Sequence, residues 1–261
     1  MNRIEQQFSE RISKGQKLFV PYIMAGDGGL EVLEERLTFL EQLGASAIEI
    51  GIPFSDPVAD GPTIQKAGIR ALQAGTTLMG VLEKLSKIRS TIQIPLVIMT
   101  YMNPILAYGI DRFVLDIKDA GVDGCIIPDL PIEEEEIIAP KLEANGIELI
   151  RLVTMVTPID RIRKIAERGR GFLYTVTVKG ITGARNVFDQ TLLNFLEEVK
   201  EISNKPVVAG FGVSSPGQVR ELSQHCDGVV VGSRIVDLFH EDDLDGIKEM
   251  IEAIQFSRKV K

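Results

Sequence analysis

Short apolar, β-branched runs alternate along the chain with longer amphipathic stretches, from residue 18 to residue 254. The apolar runs lie at 18–24, 47–51, 96–100, 124–127, 148–152, 172–176, 207–209 and 228–231. They are continuous rather than alternating, as expected of strands buried on both faces. Helical periodicity fills the intervals at 30–43, 63–74 with 77–88, 110–120, 133–144, 158–167, 191–201, 215–223 and 244–254. Before the first strand, Ile4, Phe8 and Ile12 recur every fourth residue, which predicts a short amphipathic helix lying over a core. Eight strand-then-helix units in a chain of this length predict a closed (β/α)8 TIM barrel, and no composition break divides residues 1–261 into more than one domain. A doubly wound open sheet is the alternative. It lacks the G-x-G-x-x-G turn expected after its first strand, because GDGG at 26–29 is too short and too acidic.

Barrels of this kind carry their chemistry at the C-terminal ends of the strands. The second strand places Glu49 on the same face as Ala47, with Ile48 and Ile50 on the other. A carboxyl facing the barrel mouth is desolvated, its pKa rises, and it becomes suited to proton transfer near neutral pH. A structural Glu in a hydrogen-bond network is the equal alternative. Asp60 precedes Gly61-Pro62-Thr63, a helix start, so it either caps that helix or serves the site. Asp56, in SDP, reads as a turn initiator, and Asp27 and Asp129 read as turn stabilisers. The long loop between the second strand and its helix is unusual for a unit that could close in a few residues.

The late strands end in small residues: KGITGAR after the sixth, AGFGVSSP after the seventh, VVGSRIV after the eighth. These glycines either make tight turns or let a ligand approach the backbone. Ser233 opens a short helix after strand eight, whose free amides favour an anion, and such phosphate sites recur in barrels. Tyr22, Ile64, Tyr101, Leu130, Tyr174 and Phe211 fall at or just past strand ends. With a phosphate clamp at one side, that lining suits a phosphorylated substrate carrying a flat apolar ring.

Composition narrows the field. The chain has 29 Lys and Arg against 37 Asp and Glu, a net charge of −8, which argues against nucleic-acid binding. The basic run RIRKIAERGR at 161–170 alternates with Ile162, Ile165 and Ala166 and reads as a solvated helix face. Cys125 and Cys226 are far apart and lack metal-ligand spacing, which fits a reducing, cytoplasmic setting. The N-terminus has no apolar segment of a signal peptide, and no stretch reaches the roughly 18 apolar residues of a membrane span. Only His225 and His240 are present, and no nucleophile triad or metal set is legible. Catalysis would have to run on carboxylates, phenols and electrostatics.

The loop EIGIPFSDPVADGP at 49–62 closely resembles the hallmark loop of the tryptophan synthase alpha chain family. The resemblance extends over essentially the whole chain, through FVPYIMAGD, YMNPI, PDLPIEE, GITGAR, GFGVSSP and VVGS. It implies retro-aldol cleavage of indole-3-glycerol phosphate to indole and glyceraldehyde 3-phosphate, with no cofactor and no metal. Three protons would move: onto indole C3, off the ring N–H, and off the hydroxyl beside the breaking bond. By resemblance, Glu49 is the acid/base and Asp60 the carboxylate facing the indole N–H. Tyr22, Ile64, Tyr101, Tyr174 and Phe211 line the substrate, and Thr182 belongs to a closing loop. Gly183, Gly212, Gly232 and Ser233 hold the phosphate. The family works with a PLP-bearing beta chain in an alpha2beta2 tetramer, and Pro53, Phe54, Asp56, Asn103 and Pro131 would face it. Tyr22 stands where phenylalanine is common, LVTMVTP replaces the commoner LxAPTT, and Lys179 and Arg234 are further departures. A stand-alone lyase and a non-catalytic partner of a beta chain are the competing readings.

Overall fold

The computed structural model describes residues 2–177, 188–210 and 212–255. Eight parallel strands close in sequence order: β1 (Leu18–Met24), β2 (Ile48–Gly51), β3 (Leu96–Met99), β4 (Gly124–Ile126), β5 (Glu148–Thr154), β6 (Leu173–Val176), β7 (Val207–Gly210) and β8 (Gly228–Val231). The ring shuts where Leu18–Pro21 of β1 pairs with Gly228–Val231 of β8. Each strand is buried on both sides, which explains the continuous apolar runs. Val20, Tyr22, Ala47, Val97, Tyr174 and Val208 pack inside the barrel. Their neighbours Phe19, Ile23, Ile48, Ile98, Val207 and Ala209 pack outward, against the helices.

Among the described residues the helices are α1 (Arg3–Ser13), α2 (Leu33–Gln42), α3 (Pro62–Gln73), α4 (Leu78–Ile88), α5 (Met102–Tyr108), α6 (Ile110–Asp119), α7 (Ala139–Ala144), α8 (Ile159–Glu167), α9 (Gln190–Ile202), α10 (Pro216–His225), α11 (Ser233–His240) and α12 (Leu244–Gln255). The predicted N-terminal helix is α1, stabilised by a capping box between Asn2 and Glu5. Its Ile4 and Phe8 join the interior cluster, with the Phe8 ring 5.4 Å from that of Phe172, so α1 stoppers the barrel floor. The basic run forms α8, with Ile162, Ile165 and Ala166 inward and Arg161 paired with Glu133 on the surface.

Two expected elements differ, and one helix lies where none was expected. The helix expected at 30–43 starts at Leu33, after the turns at positive-φ Gly28 and Gly29. The stretch 133–144 divides into a 3-10 turn at Glu135–Ile137 and the short α7, whose first turn contains Pro140. Finally, α5 was not anticipated, because its Pro104 masks a seven-residue helix. Pro is tolerated there because the first-turn amides need no intrahelical partner.

Candidate active site

Glu49 points into the barrel from the end of β2, opposite Tyr22 of β1 and Val97 of β3 in the register. It is 2% exposed, and its Oε2 has no hydrogen-bond partner. Burial, and next the charge of Asp60, push its carboxyl up to about 8. The structural alternative required a satisfied network; an unpartnered buried oxygen is costly unless something else engages it.

Asp60 ends the loop after β2 and is 6% exposed. It does not cap α3: the N-cap is Gly61, with no side-chain cap bond. Its carboxylate faces the mouth instead, where the Tyr101 hydroxyl hydrogen-bonds it. Burial raises the Asp60 carboxyl to about 6, and the Tyr101 bond opposes that rise. The same hydroxyl accepts from the Ala59 amide at 3.1 Å, and the Phe54 ring stacks on Tyr101 at 5.5 Å. Tyr101 thereby ties the long loop to the end of β3.

Tyr22 and Tyr174 are buried inside the mouth, and burial raises both phenols, with the charge of Glu49 adding to each. Glycine makes room for them. A Cβ on Gly51 would lie 1.9 Å from the Tyr22 hydroxyl, and one on Gly210 would lie 2.4 Å from that of Tyr174. Ile64 of α3 lies in the same interior cluster. Leu130 does not: it packs against the outer layer between sheet and helices. Its strand-end position in the sequence carried no information about which side of the barrel it takes.

The described part of the phosphate expectation is Gly212, Gly232 and Ser233. Gly212 adopts φ +82° after β7, and Gly232 and Ser233 form the start of α11. No side chain caps that helix start, so its leading amides are open to an anion. Arg234 lies 3.7 Å from Glu241, which draws its charge along α11 rather than to the helix start. Thr182, Gly183, Phe211 and Lys179 lie outside the described residues.

At the rim, Asp56, Asn103 and Pro131 are exposed, Phe54 is half-buried and Pro53 is buried. Asp129 accepts from the Met102 amide at 3.0 Å and so braces the start of α5 from the neighbouring loop. Asp27 pairs with Arg70 and is structural, as expected of it. Among the described residues no group of three or more His, Cys, Asp or Glu could hold a metal ion, and no helix is long and apolar enough to cross a membrane.

Comparison with known proteins adds a second line of observation. Residues 8–261 match the family model described as tryptophan synthase alpha chain. The chain is 54% identical over 241 residues to the tryptophan synthase alpha chain of Bacillus mycoides, covering 92% of this chain and 93% of that protein. It is 52% identical over 248 residues to that of Bacillus anthracis, covering 95% and 96%. Its structure superposes on tryptophan synthase subunit alpha from Legionella pneumophila with a TM-score of 0.88 at 31% identity, covering 98% and 99% of the two chains. It also superposes on the aminoacrylate-bound form of tryptophan synthase from M. tuberculosis with a TM-score of 0.86 at 30% identity, covering 99% and 100%.

Proposed function

The chain belongs to the tryptophan synthase alpha chain family, and from that premise we propose how its own residues carry the family's reaction. The activity is that of a carbon–carbon lyase in tryptophan biosynthesis. The substrate we assign is indole-3-glycerol phosphate, split into indole and glyceraldehyde 3-phosphate by one barrel domain spanning 1–261. The observation that carries the site assignment is the buried, unpartnered Glu49 carboxyl beside Asp60.

Glu49 enters the cycle as an acid, since its carboxyl keeps its proton up to about pH 8. It protonates indole C3, and the ring becomes a cation centred on the N–H. Ionised Asp60, braced by Tyr101, accepts a hydrogen bond from that N–H and stabilises the charge. The N–H proton stays on nitrogen in the product indole, so the net transfers are two rather than the three the resemblance implies. The Glu49 carboxylate then takes the proton of the adjacent side-chain hydroxyl. The carbon–carbon bond breaks, its electron pair returns to the ring, and the hydroxyl carbon becomes the aldehyde. Glu49 is left protonated again, and protons and electrons balance without a cofactor. Two carboxylates whose surroundings push their pKa values apart thus take separate roles.

We assign Tyr22, Ile64, Tyr101 and Tyr174 to the indole ring and Gly212, Gly232 and Ser233 to the phosphate; the family resemblance adds Phe211 to the first set, Gly183 to the second and Thr182 to a closing loop. The family implies a beta-chain partner. We take it to be PLP-bearing, in an alpha2beta2 tetramer in the cytoplasm, seated on Pro53, Phe54, Asp56, Asn103 and Pro131.

The test is indole release from indole-3-glycerol phosphate by wild type and Glu49→Gln, each with and without a cognate beta chain. Loss of release by at least about 100-fold in Glu49→Gln, with beta-chain activation retained, is expected. Undiminished release in that variant removes Glu49 from the chemistry. Fast release by wild type alone, unchanged by the beta chain, would point to a self-sufficient lyase.

A further inference from the structure

Asp27 and Arg70 have no part in the chemistry assigned above, yet they sit where the two ends of the site are joined. Asp27 is buried just past the end of β1. Its carboxylate oxygens accept from Arg70 Nε at 2.6 Å and Nη2 at 2.7 Å. Such a planar two-point pairing resists both sliding and rotation, which a point charge would not. Arg70 belongs to α3, the helix that begins two residues after Asp60. The loop after β1 also meets the turn that follows α3: a Cβ on Gly26 would lie 1.9 Å from Thr76 Oγ1, so loop backbone is pressed against that turn.

The same cluster reaches the phosphate side. Arg36 donates to the Asp27 carbonyl at 2.5 Å, and its guanidinium lies 4.8 Å from the centre of the Phe239 ring on α11. Asp237, also on α11, contributes to the field at Arg70, whose pKa is raised chiefly by the Asp27 hydrogen bonds and then by the charges of Asp27 and Asp237. The pair, with Asp27 buried and Arg70 about a third exposed, therefore anchors α3, the helix that follows the Asp60 carboxylate, and through the Asp27 backbone and Arg36 it borders α11, the helix that begins at Gly232 and Ser233.

We propose that the Asp27–Arg70 pair is a positioning device that fixes the distance between the carboxylate end and the phosphate end of the site, so that a ligand carrying both an indole ring and a phosphate engages both at once. This rests on the substrate class assigned above. Neither residue touches substrate; they act through α3 and α11. Separate fragments need no such spacing, because each sees only one end.

The experiment compares wild type, Arg70→Lys and the double variant Asp27→Asn with Arg70→Gln, which removes both charges without stranding one. Four quantities are measured: kcat/KM for indole-3-glycerol phosphate, and the Kd of glycerol 3-phosphate, of indole, and of a non-cleavable ligand joining an indole ring to a phosphate through a three-carbon chain. The expected result is a fall of about 10- to 100-fold in kcat/KM and a weaker Kd for the joined ligand, with both fragment affinities near wild type. Arg70→Lys, which keeps the charge but not the fork, falls in between. Unchanged kcat/KM and joined-ligand affinity overturn the proposal. So does a parallel loss of both fragment affinities with the substrate, which would mean that the pair only holds the fold. Should wild type release no indole, the lyase assignment fails, while the joined ligand still reads the spacing.

Discussion

Glu49 holds its proton at pH values where an exposed glutamate has long lost it, and this couples the site to stability. An unfolded glutamate titrates near 4.5, whereas the folded one titrates at about 8. Between those values the native state binds a proton that the unfolded state has released. Stability therefore falls as pH rises through that window and levels off above it. Glu49→Gln cannot titrate. Urea unfolding of the two proteins should show the variant gaining on wild type by on the order of 3 kcal/mol between pH 5 and pH 8. Asp60 titrates in both and cancels from the comparison. A gap that stays constant with pH would mean that Glu49 ionises normally. Turnover should carry the same signature. With ionised Asp60 and protonated Glu49 both required, kcat/KM is bell-shaped with limbs near pH 6 and pH 8. Asp60→Asn should lose the lower limb. That Glu49 shares a strand face with Ala47 was legible in the sequence, because the strand period is two, whereas which of the two faces turns inward is decided only by the closed barrel. The freedom of Asp60 from helix capping was not, because Gly-Pro after an aspartate is equally a cap signal. Only the position of the Tyr101 hydroxyl, 41 residues away in sequence, decides it.

The elements each have a local cause and a local weak point. The floor helix α1 contributes Phe8, fully buried against Phe172. Phe8→Ala should cost about 3–5 kcal/mol in chemical denaturation, because the barrel floor cannot collapse onto the gap. At the opposite end, Asp129 braces the first amide of α5. Asp129→Ala should cost about 1 kcal/mol and loosen the segment carrying Asn103, seen as faster amide exchange at the start of α5. A cost near zero would show that water replaces the carboxylate there. Strand positions were readable to within a residue or two because burial on both faces leaves an unbroken apolar run. Helix starts were less so. The turns at Gly28 and Gly29 delay α2, Pro140 divides the stretch before β5, and α5 is capped by a residue of another loop, a signal absent from its own sequence.

At the scale of the molecule, sequence order and spatial order coincide, β1 through β8, so every loop that could carry chemistry emerges at one end. That made the barrel and the location of the site readable before any coordinate. It left unreadable the contacts between elements distant in sequence, such as Asp27 with Arg70 across 43 residues, or Arg36 beneath Phe239. If the exposed rim residues receive a beta chain, Asp56→Ala should leave the uncatalysed binding of glycerol 3-phosphate intact and reduce the rise in indole release when that chain is added. Equal stimulation of both proteins would place the contact elsewhere. The stopper formed by Ile4 and Phe8 has a bearing on this rim. With the floor closed by Ile4 and Phe8, a substrate that enters at the Glu49 end would go in whole and leave as two fragments by that same end. A partner docked on that rim would then govern traffic in both directions, and the fragment leaving there would pass to it first.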